Sequence, residues 1–162
     1  MTGLRDQRND DLRVPAWLGS LRVYLGWIFG LNLLWEVLHL PLYTLWTSGT
    51  LSEKAFAVVH CTFGDVLIAL SALALALVLG GDPKWPVSRF WTVAVLALIF
   101  GEIYTLFSEW VNVFIRPSWA YSDRMPVIAV LRHDIGLSPL LQWIVVPIAA
   151  LLIVRRASAK RD

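Results

Sequence analysis

A chain of 162 residues in which 57% are hydrophobic and only 16% charged, with a mean hydropathy of +0.63, is too apolar for a soluble domain, whose apolar share stays near one half. The net charge of +2 comes from Lys and Arg in the termini and short loops rather than in one patch, which excludes a nucleic-acid interface. One cysteine, Cys61, excludes an internal disulfide and any CxxC redox or zinc motif.

The chain opens on a polar arm, residues 1–22. The apolar run after it is too long for a signal-peptide core and lacks a small-residue cleavage site, so it reads as a retained span. This first span covers residues 23–46 and holds Asn32, Glu36 and His39. The second, 55–79, holds His60 and Asp65; the third, 91–115, holds Glu102, Glu109 and Asn112; the fourth, 137–154, holds Gln142. At about 1.5 Å of rise per residue, each crosses a hydrocarbon core of about 30 Å. Turn formers separate them: Thr47, Ser48 and Gly49; then Gly80, Gly81, Asp82 and Pro83; then a longer loop with Pro117, Pro126 and Gly136. Residues 155–162 form a short tail. The expected fold is all-α, an integral membrane four-helix bundle spanning 23–154 with no repeat and no separate soluble domain.

Orientation follows from the excess of Lys and Arg on the cytoplasmic side. Arg5, Arg8, Arg13, Arg22, Lys84, Arg89, Arg155, Arg156, Lys160 and Arg161 fall on one side, against Lys54, Arg116, Arg124 and Arg132 on the other. Ten against four predicts both termini in the cytoplasm, and the bacterial inner (plasma) membrane is the expected location. Trp17, Trp46, Trp85, Trp91 and Trp119 sit near span ends, as an interfacial aromatic belt does.

Ionisable groups inside spans cost about 2.5–3.5 kcal/mol each on insertion scales, so they face a bundle interior and mark function. Asn32, Glu36, His39 and Tyr43 follow steps of four, three and four, placing them on one helical face. Glu102, Thr105, Glu109 and Asn112 follow steps of three, four and three on the third span. Counting rise per residue puts Glu36, Asp65 and Glu102 within roughly 3 Å of the midplane, and His39, His60, Glu109 and Gln142 about 5–10 Å toward the outer side. The cytoplasmic halves of spans two and four are almost wholly apolar. A cavity open outward and sealed inward is therefore expected.

Each motif has two readings. Glu36 and His39 form an ExxH pair, a spacing that puts two metal ligands on one helix face, though in a single copy. His60, Cys61 and Asp65 form HCxxGD, with imidazole, thiolate and carboxylate all competent zinc or copper ligands; a buried lone cysteine is also simply a small hydrophobe. Glu102 and Glu109 are candidate proton relays or an acid and base, or else interhelical hydrogen-bonding partners that hold the bundle together. Gly26 and Gly30 make one GxxxG on span one, which leaves the oligomeric state open. His133 and Asp134 read as solvated loop residues.

The patterns NxxWExxxxPLYxxW (32–46), HCxxGDxLIA (60–69), YTxxSEWxN (104–112), WAYxxxMP (119–126) and GLSPLLQWxxxP (136–147) together resemble a widespread group of small, uncharacterised four-helix bacterial inner-membrane proteins. That likeness implies the four-span layout and no activity. GEIYTLFSE (101–109) with QWIVVP (142–147) is also similar to the later helices of the emopamil-binding or EXPERA family, which includes sterol isomerases and ligand-binding membrane proteins. The resemblance implies that carboxylates and a histidine in a membrane cavity shuttle protons or stabilise a cation on a hydrophobic ligand. The matching positions are Glu36, His39, Asp65 and Glu109, with the acid and histidine of span one in reverse order.

The residues as a set predict an enzyme or binding protein for a hydrophobic or lipid-like molecule. Glu36, Glu109 and Asp65 are the candidate catalytic acids and bases. Asn32, Tyr43, Glu102, Asn112, Gln142 and Trp143 are the candidate ligand contacts. His39, His60 and Cys61 are the candidate ligands of a divalent metal. Expected partners are membrane lipid and a hydrophobic small molecule. The rival readings are proton-coupled or metal-ion transport with Glu102 as the midplane relay, and a haem-binding accessory subunit with His39 and His60 as axial ligands.

Overall fold

Proline decides where the first helix stops. Helix α1 (Ala16–His39) continues through a 3-10 turn, Leu40–Leu42, and ends there. Pro41 has no amide hydrogen to give and its ring clashes with the preceding turn, so the span closes at residue 42 instead of 46. It also begins earlier than expected: residues 17–22 are helical, with Arg22 exposed on the surface. The computed structural model describes residues 16–159, and Arg5, Arg8, Arg13, Lys160 and Arg161 of the orientation argument lie outside the described residues.

After a single helical turn at Leu45–Ser48, α2 (Leu51–Gly80) starts four residues before its expected position. A capping box sets that start. The Thr50 hydroxyl accepts from the Glu53 amide at 3.3 Å, and the Glu53 carboxylate accepts from the Thr50 amide at 2.7 Å. With 30 residues, α2 is about 45 Å long and exceeds the hydrocarbon thickness, so the turn bearing Ser52, Glu53 and Lys54 projects beyond it. Helix α3 (Phe90–Glu109) widens into a π-helical stretch, Trp110–Ile115. Helix α4 (Leu137–Ser158) runs past the expected limit of 154 and carries Arg155 and Arg156 in its last turn, where cations suit the helix dipole. Arg155 stacks its guanidinium over Phe90 and Trp91, 5.0 and 5.3 Å from the ring centres.

These four helices are long and apolar enough to cross a membrane. Each packs on two neighbours: α2 lies between α1 and α3, and α4 closes the ring against both. Leu34, Val37, Phe63, Leu67, Ile103 and Phe107 point outward and are exposed, as lipid-facing side chains are. The long loop expected between spans three and four contains a hairpin that the sequence reading did not foresee. Strands β1 (Val127–Val130) and β2 (His133–Gly136) pair antiparallel from Val127 with Gly136 to Val130 with His133. Their two-residue turn, Leu131 and Arg132, has φ of 48° and 72°. This is the primed-turn geometry that matches strand twist, built here without the usual Asn or Gly.

The bundle has two unlike halves. Toward the end carrying both termini, Tyr24, Ile28, Leu73, Val93, Leu151 and Val154 are fully buried. Ala72 and Ala76 of α2 and Ala94 and Ala97 of α3 are buried with them, and such small side chains let helix backbones approach closely. Toward the loop end, Asn32, Glu36, His39, Thr105, Glu109 and Gln142 are buried instead.

Candidate functional site

One amide organises the polar half. Gln142, one and a half turns into α4, is 2% exposed. Its Nε2 lies 2.9 Å from Asn32 Oδ1, 3.1 Å from Glu36 Oε1 and 3.0 Å from Asp65 Oδ2. Three helices, α1, α2 and α4, are thus tied through a single nitrogen. The four-residue step from Asn32 to Glu36 makes this possible, because both project from one face of α1. Asn32 is held in turn by its own Nδ2, which donates to the Ile28 carbonyl at 2.9 Å.

The chain of bonds continues outward. Glu36 Oε2 lies 3.1 Å from His39 Nε2, and His39 Nδ1 lies 3.1 Å from Ser138 Oγ. The Trp35 indole donates to the same hydroxyl at 3.3 Å. The Ser138 oxygen accepts from Trp35 and can either donate to His39 Nδ1 or accept from it. In the tautomer with the hydrogen on Nε2, His39 donates to Glu36 and Ser138 donates to Nδ1. Ser138 was not foreseen; its place four residues before Gln142, on the same face of α4, was the available clue.

Hydrogen counting shows what this cluster lacks. The Gln142 amide has two hydrogens and faces three oxygen acceptors. Asn32 takes one, and the carboxyls of Glu36 and Asp65 face each other across the other. The network is at least one donor short. A proton on one carboxyl, or a donor brought by a bound molecule, completes it.

A second acid stands nearer the loops. Glu109 accepts a short hydrogen bond from the Tyr121 hydroxyl, whose oxygen accepts from the Gly136 amide at 3.0 Å. A methyl at Gly136 would come within 3.1 Å of the Tyr121 ring, so glycine admits the ring to this position. Burial, followed by the neighbouring charge of Glu109, raises the Tyr121 hydroxyl above the usual phenol range, and burial does the same to Tyr43. Both stay hydrogen-bond donors at neutral pH. Tyr43 meets His39 edge-on at 5.2 Å between ring centres and Tyr121 at 5.8 Å.

These groups line a cavity of about 850 Å³. Glu36, His39, Asp65 and Gln142 form its deep polar wall, Glu109, Asn112 and Trp119 lie toward the loops, and Phe56, Ile68 and Trp143 supply apolar surface. Gly101 seats Trp143: a methyl there would approach its ring to 2.5 Å.

Most of the expected residues converge, and four placements differ. Gln142 shares one depth with Glu36 and Asp65, although residue counting set it nearer the outer side. Glu102 is half-buried and absent from the cavity wall, and its buried Oε1 has no hydrogen-bond partner. Glu102 lies on nearly the same face of α3 as Glu109 but about 10 Å farther along the helix, where the cavity wall does not reach. His60 is exposed and stacks on Phe56 at 5.4 Å, at the rim rather than in the network. His39, His60 and Cys61 all touch the cavity, yet among the described residues no group of three or more His, Cys, Asp and Glu could hold a metal ion. In the loop, His133 is half-buried against Phe114 at 4.6 Å instead of solvated.

No family model, curated protein or solved structure matches this chain.

Proposed function

We propose that this chain is a bacterial inner-membrane protein that binds a hydrophobic, lipid-like molecule in a one-sided intramembrane cavity, where Glu36, Asp65 and Glu109 exchange protons or hydrogen bonds with it. The observation that carries the reading is the donor-short carboxyl pair at Gln142 on the wall of an otherwise largely apolar cavity. Isolated acids in a membrane are costly, and a pocket with a few convergent polar groups in an apolar lining is the usual form of a ligand site. His39, hydrogen-bonded to Ser138, is the proton partner of Glu36. The likeness of residues 101–109 and 142–147 to the emopamil-binding family supports the same chemistry. The excess of basic residues on the terminal side supports an outward-facing cavity.

Transport is the weaker alternative because the terminal half is filled by Tyr24, Ile28, Leu73 and Val93, leaving no polar path below the cavity. Photolabelling with a diazirine-bearing fatty alcohol tests the reading. Adducts are expected on the peptides carrying Glu36, Asp65 and Glu109, displaced by excess unlabelled alcohol and strongly reduced in a Glu36→Gln, Asp65→Asn double variant. Adducts confined to the lipid-facing surface, and equal in the variant, would overturn it.

A further inference from the structure

The cavity has a roof and a missing side wall. Over the loop end, the segment leaving α1 pairs with the segment leading to the hairpin. Thr44 N donates to Ala120 O at 3.0 Å, Ser122 N to Leu42 O at 2.9 Å, and the Ser122 hydroxyl to Pro41 O at 3.3 Å. The Tyr43 and Tyr121 rings pack beneath this seam. Water therefore meets paired backbone and two aromatic rings above the Glu36 and Glu109 side of the cavity.

Between α2 and α3 the arrangement is the reverse. At the terminal end the two helices touch: a methyl at Gly80 would meet Leu96 at 2.8 Å and Thr92 at 2.9 Å. About 24 Å back along α2 and on a different face of the helix, the cavity-lining Gly64 has open space: a methyl there would meet nothing within 4 Å. Tyr104 of α3 lines the cavity and is 47% exposed. His60 of α2 likewise lines the cavity and is exposed. Cavity-lining side chains this exposed stand where the cavity wall is open.

Resting on the binding reading above, we infer that the cavity is loaded sideways from the bilayer, through a slot between α2 and α3 bounded by His60, Gly64, Tyr104 and Ser108, and that its occupant is an amphiphile already dissolved in that leaflet. The cavity offers such a molecule both kinds of surface. Asn112, Glu109 and Ser118 lie toward the loop end, where a lipid carries its head group; farther in, Ile68 and Trp143 supply apolar surface beside the polar wall of Glu36 and Asp65. A molecule moving sideways keeps its depth and orientation, and Glu109 offers an acceptor to a head group bearing hydroxyl or amine hydrogens. Tyr104 is the gatepost of the slot.

The native Cys61, the only cysteine in the chain, lines the cavity beside the slot and reports which phase reaches it. Wild-type protein in phosphatidylcholine vesicles is treated with one of two reagents: a maleimide joined to a fatty acyl chain, confined to the bilayer, or a sulfonated maleimide confined to water. The expected result is that the acyl reagent labels Cys61 at least about tenfold faster, that Gly64→Phe slows it by a similar factor, and that Tyr104→Ala speeds it. Gly64→Phe has open space to occupy, and circular dichroism checks that it folds; Tyr104→Ala tests the same slot by widening it. Faster labelling by the sulfonated reagent, unaffected by either substitution, would overturn sideways loading and leave the cavity reading standing. Failure of both reagents on folded protein, with normal labelling after unfolding in SDS, would sink both.

Discussion

The two halves of this bundle use the same four helices to opposite ends. In the half near the termini, alanines and one glycine bring α2 and α3 into contact and buried aliphatic side chains fill the centre. In the half near the loops, the same helices enclose a cavity whose lining holds four acids, Glu36, Glu53, Asp65 and Glu109, and two histidines, His39 and His60. Lipid gives no hydrophobic drive for helices to associate, so cohesion comes from close packing and from interhelical hydrogen bonds. The terminal half relies on the first. The loop half relies on the second, and a network tied through one amide leaves polar capacity free for a ligand. The packed half can therefore be viewed as the clamp that lets the other half stay open.

Glycine substitutions measure that contrast most directly. Gly101→Ala would drive a methyl to 2.5 Å from the buried Trp143 ring, and overpacking of this kind costs about 1–3 kcal/mol. Gly64→Ala on the open side of α2 meets nothing within 4 Å and is expected to change stability by less than about 0.5 kcal/mol. SDS-titration midpoints in mixed micelles compare the two, and equal losses would erase the distinction between packed and open regions.

Gln142→Leu attacks the hydrogen-bonded half. It removes the one nitrogen that reaches Asn32, Glu36 and Asp65 and leaves buried acceptors unmet, a loss of about 1–3 kcal/mol. Membrane hydrogen bonds average less than this, about 0.6 kcal/mol each, so the expected value lies toward the lower end. The same variant should lose displaceable photolabelling. Retention of both stability and labelling would mean that the amide does not organise the site.

The four spans, and the stripe Asn32, Glu36 and His39, were legible in the sequence because helical spacing and apolar runs are local properties. The sealed terminal half was legible for the same reason, from the apolar stretches 69–79 and 148–154. What was hidden depends on how one helix is shifted along another. Gln142 comes to the depth of Glu36 and Asp65, a relation between helices that residue counting within each span does not capture. Tyr121 lies 12 residues beyond Glu109, in a loop whose fold is set by the hairpin and by pairing with residues 42–44. Glu102 shares a face with Glu109, seven residues on, but sits about 10 Å from it along α3, and the cavity wall does not reach it.

Tyr121→Phe gives the smallest loss among the hydrogen-bond variants and sharpens the boundary between roof and site. The phenol joins Glu109 in α3 to Gly136 at the start of α4, so its loss should cost about 1 kcal/mol near neutral pH. Its dependence on pH has a definite sign. Burial raises the folded-state value of this hydroxyl above the unfolded value of about 10, so the folded chain keeps its proton where the unfolded chain releases it. The stabilisation is fully present below about pH 10 and is lost as pH rises through the folded-state value. Wild-type midpoints should therefore fall from about pH 10 upward, and Tyr121→Phe should flatten that fall without removing it, since Tyr43 is raised in the same way. Parallel curves for the two proteins would mean that Tyr121 titrates as a solvent-exposed phenol and that the seam over Glu109 opens to water.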